Sequence, residues 1–210
     1  QSMFVLFMKS SIIYSVTNSI FSNSYIFDKF RNIVHNNFND EKKIISKYLK
    51  KDKKTLDFGC GAGQFSVLFK PKTYYGVDTN IKYIKFCKTN RKGNFFLIKS
   101  SPPYNFNKNY FDQILVSSVI HHINDKTLII ILKELRRILK NNGELMIIDH
   151  FRKKHQHNLL CKVLINLDRG KYFRDLKEVI NSDNRYFKVK KIELFKNSVY
   201  RDYALILSKK

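Results

Sequence analysis

Three glycines at alternate positions, Gly59, Gly61 and Gly63, lie in the stretch TLDFGCGAGQFSVLF, residues 55–69. Glycine tolerates positive φ and lets another molecule approach the backbone, so the spacing suits a loop that holds a ligand. Two acids flank the loop: Asp57, two residues before the first glycine, and Asp78, fifteen residues after the last. A carboxylate closing the strand that follows such a loop can accept hydrogen bonds from both hydroxyls of a ribose. His121, His122 and His150 are candidate general bases. The segment DRGKYFR, residues 168–174, offers Asp168, Tyr172 and Arg174 to a polar or anionic group. Each feature also has a structural reading: a tight turn without a ligand, a histidine bonded to a nearby carbonyl, a helix cap at Asp168 with Arg174 on the surface.

The elements that must position these residues are legible as a repeat of strand, loop and helix. TLDF is a short strand, GQFSVLFK a helix and TYYGVD a second strand ending on Asp78. NIKYIKFCKTN reads as a helix with Gly93 as its stop, NFFLIKS as a third strand and FDQILVSSVI as a fourth. Asn124 or Asp125 can cap the helix KTLIIILKELRRILK; Asn141-Asn142-Gly143 makes a turn, and ELMIIDH is a fifth strand. Continuous apolar strands separated by helices indicate a parallel sheet covered on both faces. In the tail, HNLLCKVLINL and YFRDLKEVIN read as helices, and YFKVKKIELFKNSV and RDYALILSK as a closing antiparallel pair. The expected fold is therefore a doubly wound, mostly parallel seven-stranded sheet with an antiparallel C-terminal hairpin. Residues 1–50 are expected to be helical and to lie over residues 51–210 as a lid, with Tyr14, Tyr25, Phe27 and Phe30 as ordinary core or as part of that lid.

In such a sheet ligands bind beyond the carboxyl ends of the strands. The loop and Asp78 leave two candidates, a dinucleotide and S-adenosylmethionine. A dinucleotide calls for GxGxxG, so that a pyrophosphate can sit on the helix amino terminus. The sequence instead reads G-C-G-A-G-Q-F, and Asp57 would repel a pyrophosphate but pair with the ammonium of a methionine moiety.

At residues 40–150, with an extension toward the end, the chain resembles the class I S-adenosylmethionine-dependent methyltransferases, in the group similar to the ubiquinone and menaquinone methyltransferases. LDFGCGAGQFS, YYGVDTN, FDQILVSSVIHHI and LKELRRILKNNGELMIIDH match four successive motifs of that family. The resemblance implies a Rossmann-like fold and S-adenosyl-L-methionine as cofactor. It implies that Asp57 holds the methionine amino group, directly or through water. Gly59, Cys60, Gly61 and Gly63 would underlie the cofactor, Asp78 would hold the ribose with Thr79 beside it, and Ser117 would be a further contact. Where the family often has Gly-Asp-Ala, reaching the adenine, this chain has Ser100 and Ser101. Methyl transfer to a hydroxyl needs a base; His150, directly after the fifth strand, and His122, in the turn after the fourth, are the two assigned to that task. Asp168, Tyr172 and Arg174 stand in the family's substrate region.

The bulk numbers bound the partners. The net charge is +23, from 40 Lys+Arg against 17 Asp+Glu. Such a charge suits a polyanion. It also follows from a composition crowded with Lys, Asn, Ile and Phe, with basic residues spread along the whole chain, and this second reading is preferred. A small-molecule acceptor is therefore expected, with O-methylation favoured, and a tRNA or rRNA methyltransferase is the alternative. SPPY, residues 101–104, lies after the third strand and not the fourth, so it does not match the motif of amino-methylating nucleic-acid enzymes. A binding module that kept the fold without catalysis is a third reading, opposed by the intact glycine loop and Asp78. Scattered cysteines without CxxC spacing argue against a zinc site or a disulfide framework, and no His pair at i,i+4 suggests a metal. MFVLFM, residues 3–8, is too short to span a membrane, and a cytoplasmic location is expected.

Overall fold

Four short apolar runs become parallel strands because each is buried on both faces: β1 Thr55–Phe58, β2 Tyr74–Asp78, β4 Phe111–Ser117 and the second half of β5, Leu139–His150. β3, Asn94–Leu97, lies at the edge. β6, Phe187–Lys196, and β7, Arg201–Lys209, close the chain. The computed structural model describes residues 36–151, 170–197 and 201–210. The strand order is β3-β2-β1-β4-β5-β7-β6. The first five strands pair in parallel, and β7 runs antiparallel between β5 and β6. The seven-stranded, mostly parallel sheet with its closing hairpin is the fold expected from the sequence.

Helices cover both faces. On one, α3, Asp125–Ile138, buries Leu128, Ile131, Leu132, Leu135 and Ile138, a single stripe at helical spacing, against Leu145, Ile147, Leu205 and Leu207. It is joined there by α4, Leu176–Asp183, through Val179. On the other face, α1, Asn39–Tyr48, and α2, Ile81–Asn90, bury Ile45, Ile84 and Cys87 with Phe65, Phe69, Met146 and Ile148. The caps follow the sequence. Asn80 Oδ1 accepts from the Lys82 N–H at 2.9 Å, and Asn124 Oδ1 from the Thr127 N–H at 2.9 Å. At the start of α4 the Asp175 N–H donates to the Glu178 carboxylate at 2.6 Å, as in a capping box.

Two local expectations are corrected. GQFSVLFK is not an α-helix: turns lead only to a single 3₁₀ turn, Ser66–Leu68. Pro71 biases Lys70 away from helical backbone, and the residues left between Gly63 and Lys70 are too few to nucleate a stable helix. Asn141-Asn142-Gly143 is not a separate turn before the fifth strand but an excursion inside it. Leu139 pairs with Phe111 and Glu144 with Gln113, so residues 140–143 loop out opposite Asp112 alone. Gly143 is required there, since a Cβ would lie 2.6 Å from a Leu139 methyl carbon and 2.8 Å from the Asp112 carbonyl. Of the tail helices, YFRDLKEVIN is retained in part as α4, and HNLLCKVLINL falls outside the described residues, as do residues 1–35 with the candidate lid aromatics. Among the described residues no helix is long and apolar enough to cross a membrane.

Candidate active site

The glycine loop leaves β1 and bends over the end of β2. The N–H groups of Gly59 and Cys60 both donate to the Val77 carbonyl, at 2.8 and 2.9 Å. Gly59, Gly61 and Gly63 all have positive φ, +74°, +52° and +71°. Gly61 then donates its N–H to Asp78 Oδ2 at 3.0 Å, while Asp78 Oδ1 accepts from the Asn80 N–H at 2.8 Å. The acid expected at the end of β2 is thus aimed by the loop itself. Gly59 carries a second constraint. A Cβ there would lie 2.5 Å from a methyl of Val119, the second residue after β4, so the β1 and β4 loops interlock.

The other cofactor residues expected from the sequence are spread around this loop. Asp57 is 1% exposed, and its Oδ2 accepts from the Tyr74 hydroxyl at 2.5 Å. It therefore faces the interior between β1 and β2, and burial followed by the Asp57 charge pushes the Tyr74 hydroxyl well above its ordinary value. The Cys60 side chain also turns inward. Its thiol and that of Cys87 both turn to the Gly61 carbonyl, at 3.7 and 3.3 Å, and the neighbouring Cys87 thiol, with burial, holds Cys60 well above the ordinary thiol value. Only the Cys60 backbone belongs to the loop surface. Thr79 is exposed beside Asp78. Ser117 is buried at the end of β4, paired with Ile148. Ser100 and Ser101 are exposed. Ser101 lines a groove of about 830 Å³ with Tyr75, Phe96, Phe106 and Tyr110, a groove that none of the loop glycines lines.

A second group of side chains gathers at the carboxyl ends of β4 and β5. His121 and His122 lie on a 3₁₀ turn, Ile120–His122, and Asp149 and His150 end β5. His121 Nδ1 meets Asp149 Oδ1 at 2.5 Å, and the other Asp149 oxygen accepts from the His121 N–H at 3.2 Å. The β5–β7 register sets His150 opposite Asp202, and their side chains meet, Nδ1 to Oδ1, at 2.6 Å. The two buried rings lie 5.6 Å apart between centroids, and Phe173 stacks on His121 at 4.9 Å and 6°. His122 is exposed, its ring 4.1 Å from that of His121. In this turn His121 is thus held by the Asp149 carboxylate through both its ring and its N–H.

The charges support these pairings. Burial alone would raise the Asp149 carboxyl, but His121, with help from His150, outweighs it and holds Asp149 below the usual carboxylate range. Burial would likewise lower His150, and the Asp202 carboxylate outweighs it, so His150 keeps its proton above the ordinary histidine range. Asp202 is pushed up by burial, despite the pull of His150, with Glu41 and Asp149 adding to the rise.

Arg174, expected either at a polar substrate group or on the surface, is 6% exposed, and its guanidinium meets protein groups. Nε donates to Asp125 at 2.8 Å, and the terminal nitrogens donate to the carbonyls of Ile120, Tyr172 and Ile123 at 2.6, 3.1 and 2.6 Å. A contact to Asp125 at 2.7 Å completes the set. Arg174 braces the turn that carries His121. Tyr172 is exposed, and its N–H donates to the His121 carbonyl at 2.9 Å. Asp168 lies outside the described residues.

Three side chains of this group carried no expectation: Asp149, Asp202 and Phe173. Asp149 precedes His150 in the dipeptide that ends β5, and Asp202 opens the apolar run of β7. An acid beside an otherwise apolar strand is the signal that could have found both.

Residues 56–147 match the family model described as a methyltransferase domain. An uncharacterized protein of Methanocaldococcus jannaschii is 35% identical over 99 residues, 47% of this chain and 41% of that protein. The ubiquinone biosynthesis O-methyltransferase of Pelagibacter ubique is 34% identical over 102 residues, 46% of this chain and 42% of that protein. The matched segment thus spans about two fifths of each relative's length. The solved TehB-like SAM-dependent methyltransferase of Corynebacterium glutamicum superposes with a TM-score of 0.67 at 16% identity, covering 90% of this chain and 99% of that one, a likeness of fold.

Proposed function

We infer that this chain, whose residues 56–147 make up a class I S-adenosylmethionine-dependent methyltransferase domain, transfers a methyl group to a small-molecule acceptor, with oxygen as the favoured acceptor atom. The observation that carries the reading is the bond from the Gly61 N–H to Asp78, which aims a carboxylate beside a loop of three positive-φ glycines. The cofactor of this domain is S-adenosyl-L-methionine. The residues present fit it: a bent backbone open to close approach after β1, and an oriented acid for a ribose after β2. When bound, it supplies a methyl group activated on a sulfonium.

The chain's own residues do the rest. Asp78 accepts from the ribose hydroxyls, with Thr79 beside it. The backbone of Gly59, Cys60, Gly61 and Gly63 supports the cofactor. Ser117 ends the neighbouring strand, and Ser100 and Ser101 stand on the adenine side. Asp57 acts from beneath the loop through Tyr74, which fixes β1 against β2. His150 takes the hydroxyl proton of the acceptor. Its Nδ1 is bonded to Asp202, so proton exchange runs through Nε2. His122 stands exposed at the rim, and Asp168 and Tyr172 are the residues proposed to bind a polar group of the acceptor. The two histidine–carboxylate pairs support an oxygen acceptor, which must lose a proton, and so does the O-methyltransferase among the relatives.

The net charge of +23 favours a second reading, an RNA acceptor. Thermal melts with S-adenosylmethionine and with NAD, followed by tRNA binding across a salt series, test both readings. A shift with S-adenosylmethionine alone, and tRNA affinity that vanishes by physiological salt, is the expected result. A shift with NAD alone overturns the cofactor, and tRNA binding that persists overturns the small-molecule acceptor.

A further inference from the structure

Behind His150 lies a buried polar chain that reaches α1. Asp202 Oδ1 meets His150 Nδ1 at 2.6 Å, and Asp202 Oδ2 accepts from Asn197 Nδ2 at 2.6 Å. The same amide nitrogen donates to Glu41 Oε1 at 3.1 Å. The links join the end of β5, the start of β7, the residue after β6, and α1. Asp202, Asn197 and Glu41 are 1%, 1% and 3% exposed. Burying two carboxylates around one amide is costly unless each is hydrogen-bonded, and an apolar trio of equal volume would pack the same space without that cost.

We propose that Asn197 and Asp202, anchored on α1 through Glu41, are positioning residues that fix the orientation of the His150 ring and the nitrogen through which it exchanges a proton. The inference rests on the proposed role of His150 as base. Asn197 acts one bond removed. Its N–H steadies the ionised form of Asp202, and an ionised Asp202 holds the proton on His150 Nδ1. Among the described residues, the groups facing His150 include Asp202 from β7, Asp149 from β5, His121 from the turn after β4, and Glu41 from α1 through Asn197. Loss of Asn197 makes Asp202 easier to protonate, which weakens the hold on the His150 proton. The direction is therefore a lower midpoint for His150.

The test is a pH titration of the histidine rings by 15N NMR in the protein free of cofactor and acceptor. In the wild type, His150 is expected to titrate above about 6.5 and to carry its neutral-form proton on Nδ1. Asp202→Asn is expected to lower its proton affinity roughly tenfold or more, and Asn197→Ala about threefold, with loss of the Nδ1–H tautomer in the first. The double variant should fall no further than Asp202→Asn, because Asn197 acts through Asp202. Should Asn197→Ala fail to fold, Asn197→Ser, which keeps one donor, is expected to show a smaller shift in the same direction. A wild-type midpoint and tautomer in folded Asn197→Ala or Asn197→Ser overturns the proposal, and so does a double variant whose effects add. No acceptor enters the experiment, so its failure is separate from any failure of methyl transfer, which cofactor binding and turnover report.

Discussion

Gly61 and Asp78, seventeen residues apart, are joined by a 3.0 Å bond from backbone N–H to carboxylate oxygen. The glycine loop and the acid at the end of β2 are thus one device. The positive φ of Gly61 turns its N–H toward β2, and the carboxylate that receives it is oriented before any ligand arrives. The pairing of β1 with β2, Asp57 opposite Gly76 and Phe58 opposite Val77, brings the two strand ends level and makes the bond reachable.

Gly59 is the least replaceable glycine of the loop. Gly59→Ala must place a Cβ at positive φ and 2.5 Å from a Val119 methyl. The expected cost is about 2–4 kcal/mol, from left-handed backbone strain and overpacking together. Chemical denaturation measures it, and the double variant Gly59→Ala with Val119→Ala should recover the overpacking part alone. A cost under about 0.5 kcal/mol would contradict the interlocked loops.

Arg174 separates a brace from a substrate anchor. Removing it strips the donors from the carbonyls of Ile120, Ile123 and Tyr172. Arg174→Ala is expected to destabilise the fold by about 2–4 kcal/mol, and Arg174→Lys to restore little of it, since an ammonium cannot reproduce the guanidinium fork. A variant of wild-type stability with only a raised KM would return Arg174 to the substrate site.

The pair of His121 and Asp149 sets an acid-side dependence. Asp149 is held below its ordinary value in the folded protein, so its contribution is present above the unfolded value of about 3.9 and is lost as pH falls through the folded one. Asp149→Asn is expected to cost about 2–4 kcal/mol near neutrality, because it removes one partner of a buried pair. The gap between wild type and variant should close as the pH drops below about 4. Urea melts from pH 3 to pH 7 check both the size and the closure; a gap that widens in acid would reverse the sign.

The succession of strands along the chain, the covering helices and the closing hairpin were legible because each rests on local patterning: apolar runs in β4 and β5, a helical stripe in α3, an asparagine cap at Asn124. The loop glycines and Asp78 were legible for the same reason, as a strand, turn and acid in close succession. What sequence reading missed depends on distant partners. His121 and His122 are neighbours of one type, and only the path of the 3₁₀ turn decides that the first meets Asp149. The link from His150 to Asp202 crosses 52 residues and exists only through the antiparallel register of β5 and β7. Arg174 reads as a surface cation until the turn at 120–123 folds over it. The helix expected after Gly63 failed locally, because Pro71 follows too soon.

The most direct measurement is calorimetric titration of S-adenosylhomocysteine, the demethylated cofactor, into the wild type and into Asp78→Asn. That variant keeps the shape of the side chain but removes the carboxylate that the ribose hydroxyls would meet. The expected result is saturable binding to the wild type, weakened in Asp78→Asn by about 1.5–3 kcal/mol, roughly 10- to 150-fold, with the melting temperature of the free protein little changed. Equal affinity in the two proteins, or no binding to the wild type, would contradict the account.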